Sequence, residues 1–194
     1  LWICLALAAL GYVGALWYVL WAATPPTGGV ATVIVWSLLF RATLLPTEPV
    51  LSDDIYRYVW DGRVQLAGHN PYRHAPADPE LVELRDVLYS GINHKEIPTI
   101  YPPAAQITFA LAAALNPGLF TVKLLLTLCE IGIIFVLFAL LRRRSADRRR
   151  ALLYAWHPLA FIEVAGNGHV DALGVFTLFL SLLLLLDRRS WIGA

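Results

Sequence analysis

Long apolar runs interrupted by one polar stretch set the pattern of this 194-residue chain. Residues 1–23, roughly 29–46, 119–141 and 167–186 each offer about 17 to 25 mostly apolar residues, enough for a helix to cross the roughly 30 Å hydrocarbon core of a bilayer. A fifth run, 151–166, is marginal in length. Residues 102–115, PPAAQITFALAAAL, are also apolar but make only about 21 Å of helix at roughly 1.5 Å per residue, which predicts an interfacial or re-entrant helix. The pattern predicts an all-α polytopic transmembrane bundle, one domain over 1–194, with a large outer loop at 47–101 that holds amphipathic helices.

Within that loop Ser52 is suited to cap a helix over roughly 53–67, and Tyr56, Tyr58 and Trp60 suit the headgroup level. Gly68-His69-Asn70-Pro71 should end it. A second helix is predicted from about Pro79 to Leu88, with Leu81, Leu84, Val87 and Leu88 at helical spacing, lying flat on the membrane or on its neighbours.

A composition that is 58% hydrophobic, with a mean hydropathy of +0.62, excludes an ordinary soluble domain and makes the lipid bilayer a partner. The formal net charge of +1 implies no nucleic-acid partner. Cys4 and Cys129 both fall in apolar runs and read as small buried hydrophobes. The sequence contains no methionine and begins inside an apolar run, so it reads as a fragment whose first run is a span rather than a cleaved signal peptide.

Charge changes the picture through its location. Six arginines crowd residues 142–150, and Asp187-Arg188-Arg189 follows the last run, which puts both ends on the cytoplasmic side. The turn Glu163–Asp171 is then on the outer side. The polar loop, with nine of the fourteen carboxylates, shares that side provided 102–115 does not span.

Asp53 and Asp54 lie beside an apolar run, where a carboxylate can serve as a general base; the alternative is a helix-cap pair favouring the dipole. The polar neighbourhood of Arg57, Asp61, Arg63, Asn70, Tyr72 and Arg73 favours a site. His94, Lys95 and Tyr101 lie in a segment suited to presenting groups to a lipid phosphate. The turn holding Glu163, Asn167, His169 and Asp171 opens a helix whose amides can hold an anion. Glu130, near mid-span, needs a partner such as Lys123 or another helix, and Arg41 can snorkel. His69, His74 and His94 match no compact zinc motif, and no metal site is expected.

The segments SDDIYRYVWDGRVQLAGHNPYRHAP, NHKEIPTIYPPAAQ and WHPLAFIEVAGNGHVDALG resemble GT-C-fold membrane glycosyltransferases that use polyprenyl-phosphate sugars, especially mannosyltransferases, over roughly residues 47–174. The resemblance implies Asp53 or Asp54 as catalytic base, although their adjacency departs from a spaced D-x-D. It further implies a polyprenyl-phosphate-sugar donor, a glycan or glycolipid acceptor, inversion at the anomeric carbon, and a multi-pass protein of the bacterial plasma membrane with its site on the outer face. No cofactor is obligatory in this reading, with a divalent cation left open; oligomeric state is undetermined. The rival is a transporter using Glu130, His157, His169 and Asp171 as an ion path, and a non-catalytic membrane subunit is a third reading.

Overall fold

A computed structural model describes residues 2–21 and 29–192. Among the described residues every regular element is helical: α1 (Trp2–Trp21), α2 (Gly29–Leu44), α3 (Asp54–Leu66), α4 (Pro103–Leu115), α5 (Leu119–Arg143), the single turns α6 (Leu152–Ala155) and α7 (Pro158–Phe161), and α8 (Asp171–Ile192). The Cys4 side chain and those of Asp187, Arg188 and Arg189 lie outside the described residues, as does the end of the first apolar run at 22–23.

Among the described residues one helix, α5, is by itself long and apolar enough to cross a membrane. The segment Pro158–Gly166 together with Asp171–Leu186 also passes that test, but as a pair bent by 118°. Leu5–Val19, Gly29–Leu44 and Pro103–Leu115 are apolar but shorter. The run 151–166 is not one helix, contrary to the fifth span considered from sequence. His157 is extended, as a residue before proline tends to be, so α6 ends at Ala155 and α7 restarts at Pro158. A π-helical turn, Ile162–Gly166, then leads to the corner before α8.

The expected loop helix is present almost at its predicted bounds. Its end is a Schellman motif: the Gly68 amide donates to the Gln65 carbonyl, the His69 amide to the Val64 carbonyl, and Gly68 has φ of +85°. The expected helix over 79–88 is instead two 3₁₀ turns, Pro79–Leu84 and Val87–Gly91. Each starts on an aspartate, Asp78 accepting from the Glu80 amide and Asp86 from the Leu88 amide, so the second cap interrupts the first helix. Leu81 is buried against Trp60, Val64 and Ile92 rather than facing lipid.

α3, α4 and α5 share the main core, in which Ile55, Tyr58, Phe109, Val122 and Leu126 are buried. Gly62 permits the contact of α3 with α4, because a Cβ there would meet the Phe109 carbonyl oxygen at 2.3 Å. Tyr58 stacks on Phe109 with ring centroids 4.6 Å apart. α2 is tied to α5 inside the apolar region by Arg41, whose Nε and Nη2 reach both Glu130 oxygens at 2.9 and 2.7 Å. Glu130 therefore pairs with Arg41 and not Lys123. Lys123 donates instead to the Leu44 and Thr47 carbonyls, capping the end of α2.

Candidate active site

The chain enters α3 through Ser52, whose hydroxyl accepts from the Asp54 amide at 3.2 Å. Asp53 occupies the cap position, yet its side chain makes no capping bond. Both aspartates turn to a single partner, Asn93, whose Nδ2 donates to Asp53 Oδ1 at 2.7 Å and to Asp54 Oδ1 at 3.1 Å. Sequence reasoning noticed Asn93 only as part of a polar segment; a bond across 40 residues leaves no local trace. Among the described residues no cation forms a salt bridge with either carboxylate.

Asp54 lines a cleft of about 150 Å³ together with Arg57, Asn93, His94, Ile97, Pro98, Ile100 and Tyr101. Asp53 is exposed at its margin. Arg57 is nearly buried; its Nε donates to Asp61 and its Nη2 to the Ile97 carbonyl, which leaves Nη1 for a ligand. His94 is exposed and holds a left-handed backbone, φ +45°, uncommon for a residue with a Cβ. Tyr101 packs edge-on against Tyr58, centroids 4.9 Å apart. Burial, with Tyr101 and the Asp54 charge adding to it, pushes the Tyr58 phenol up. Burial raises Tyr101 as well. Both therefore stay protonated as neutral hydroxyls beside the carboxylate.

Several sequence-selected residues support the cleft from behind or lie apart from it. Asp61 is 1% exposed, with one oxygen on Arg57 and the other accepting from Gln106, so it anchors Arg57 instead of facing a substrate. Arg63 pairs with Asp86 and the Pro117 carbonyl. Lys95 points back at the Ser90 and Ile92 carbonyls, over the Tyr89 ring, and is not a wall of the cleft. Asn70 closes a turn by accepting from the Tyr72 amide, Tyr72 donates its hydroxyl to the Tyr101 carbonyl at 2.6 Å, and Arg73 is exposed.

The second polar patch docks on the first. Asn167, 2% exposed, accepts with Oδ1 from the Val50 and Leu51 amides at 2.9 and 2.8 Å, while its Nδ2 donates to the Ile162 carbonyl. It clasps the two segments together. Gly168 follows at φ +77°, where a Cβ would come within 2.5 Å of Ile55 Cδ1, so the corner rests directly on the first turn of α3. His169 stands between Glu163, 3.1 Å from its Nε2, and the exposed Asp171, 3.9 Å from its Nδ1. The twin aspartates and the Gly-Asn-His corner thus meet at one end of the fold. The six arginines of 142–150 cluster around the far end of α5.

An apolar groove of about 600 Å³ runs between α1, α2 and α7, lined among others by Tyr12, Trp36, Phe40, Trp156 and Phe161. Phe161, one of its walls, immediately precedes the π turn.

No curated protein and no solved structure matches this chain. A family model, however, matches it over its whole length, residues 1–194; that family is described as alpha-(1->6)-mannopyranosyltransferase, N-terminal domain. An acidic pair at a cleft, on a scaffold whose described elements are helical and include one helix long and apolar enough to cross a membrane, suits glycosyl transfer beside a membrane, and the chain belongs to this mannosyltransferase family.

Proposed function

We propose that the chain carries the catalytic face of a polytopic mannosyltransferase that moves mannose from a polyprenyl-phosphate donor to a glycan or glycolipid hydroxyl, with inversion, on the outer face of a bacterial plasma membrane. The observation that carries this reading is the Asp54 cleft, where a carboxylate without a cationic partner stands beside Arg57 and His94.

Asp54 takes the proton of the acceptor hydroxyl as its oxygen attacks the anomeric carbon. The bond from that carbon to the phosphate oxygen breaks on the opposite side, and the electron pair leaves with the phosphate. Arg57, through its free Nη1, and His94 face the negative charge that grows there. His169, held by Glu163, stands at the adjoining corner as a further donor. Asp53, at the margin, orients the acceptor. Every charge in this scheme is carried by a side chain, so no cofactor is obligatory.

The donor's isoprenoid tail suits the apolar groove between α1, α2 and α7. The outer-face assignment rests on the basic residues at the opposite end of α5. α5, at 25 residues, is about 37 Å long, more than the hydrocarbon core requires.

Transfer from polyprenyl-phosphate-mannose by the membrane-embedded protein tests the assignment. Asp54→Asn should lower kcat by about 10²- to 10⁴-fold with an unchanged melting midpoint, and Asp53→Asn should act chiefly on the acceptor KM. Full activity in Asp54→Asn removes the base.

A further inference from the structure

His69, His74 and His94 match no zinc motif along the chain, and the fold separates them. His94 goes to the cleft, while His69 and His74 come together with ring centroids 5.5 Å apart and meet a carboxylate that the sequence pattern did not connect to them. The geometry points to a divalent-metal site of the zinc class, formed by His69, His74 and Glu80, that clips the end of α3 to the turn Pro79–Leu84.

One ligand atom from each of the three side chains lies within 4.8 Å of the other two. A tetrahedral ion with bonds of about 2.0–2.1 Å needs ligand atoms roughly 3.4 Å apart, a contraction that small side-chain rotations supply. Two imidazoles and one carboxylate are the donor set that zinc takes with water in the fourth position, and imidazole disfavours magnesium or calcium.

Backbone bonds already fix each of the three positions. The Schellman turn holds the His69 amide on the Val64 carbonyl, and the Asn70 turn holds the His74 amide on the Asn70 carbonyl. Asp78 works on the other two ligands at once, Oδ1 accepting from the Glu80 amide at 3.0 Å and Oδ2 lying 3.1 Å from His74 Nδ1. Glu80 Oε2 also lies 3.6 Å from that Nδ1, so binding requires His74 to offer Nε2 to the ion while Asp78 keeps Nδ1, the usual way a carboxylate orients a metal-binding histidine. The site is remote in role from the transfer chemistry, yet it closes the loop that carries Tyr72, whose hydroxyl holds the Tyr101 carbonyl on the cleft wall.

Equilibrium dialysis of the detergent-solubilised protein against zinc chloride, followed by elemental analysis and a melting curve, tests the site without any activity assay. The wild-type protein should retain about one zinc per chain with a raised melting midpoint. His69→Ala and Glu80→Gln should each weaken binding at least about tenfold and abolish the rise, while His94→Ala should bind as the wild type does. Glu80 is exposed, so Glu80→Gln keeps the fold, and a helical circular-dichroism signal is checked for each variant. Failure of the wild type to retain zinc, or undiminished binding by His69→Ala and Glu80→Gln, overturns the proposal.

Discussion

Glu130 and the Asp53–Asp54 pair are both acidic centres beside apolar helices, and they are satisfied in opposite ways. Glu130 is fully buried, with each of its oxygens on Arg41, and Arg41 also reaches Ser37 and the Ala155 carbonyl. The aspartates share only the neutral amide of Asn93. A charge neutralised inside the protein ties helices together. A pair of charges left without a cation, at the lip of a cleft beside Arg57, retains its capacity to take a proton or hold a hydroxyl.

The largest effect should come from breaking the neutralised centre. Glu130→Ala strands a buried guanidinium and should cost about 3–5 kcal/mol, read as a lowered melting midpoint in detergent. Arg41→Met with Glu130→Leu should recover most of that loss, because two matched apolar groups need no desolvation. A double variant as unstable as Glu130→Ala would mean that the pair does more than join α2 to α5.

Asn93→Ala should behave in the reverse manner. It removes two charge-assisted hydrogen bonds from the aspartates; losing from the transition state the worth of one of them, about 1.5–3 kcal/mol, should lower kcat roughly 10- to 100-fold. The melting midpoint should scarcely move, since Asn93 is only half-buried. A melting loss without a kcat loss would reduce Asn93 to a structural strut and blur the contrast with Glu130.

The smallest effect belongs to a third, exposed pairing, Arg63 with Asp86, 2.6 Å apart. Burial pushes the Asp86 carboxyl up, but the Arg63 guanidinium and the Leu88 and Tyr89 amides outweigh it and hold it below the usual carboxylate range. Its contribution is therefore complete above the unfolded value of about 4 and is lost as pH falls through the lower folded value. Solvent screening keeps the contribution within about 1 kcal/mol. Asp86→Asn should melt slightly below the wild type at pH 7, and the difference should vanish in strong acid.

What could be read in advance was whatever the chain encodes locally. The end of α3 follows from the Gly68 stop, although Asp53 rather than Ser52 takes the cap position, and the shortness of α4 from a mostly apolar stretch of thirteen residues that opens on a proline. The marginal run 151–166 proved to be two separate turns, broken at His157-Pro158, followed by a π-helical turn. The helix over 79–88 fails because its apolar spacing is real but Asp86 begins a new turn within it. Side-chain roles fared worst wherever a partner is distant. Lys95 and Asp61 looked available until the carbonyls and amides that occupy them were placed, and Arg41 found Glu130 across 89 residues.

The Asn167 clasp also dictates when the cleft can exist during synthesis. The acidic loop leaves the ribosome more than a hundred residues before the side chain that will hold its entry at Val50 and Leu51. Until translation passes that asparagine, those two amides have only water to bind, and the nascent loop presents its carboxylates on an unseated strand. Assembly of this surface is thereby postponed until the corner ahead of α8 has been made.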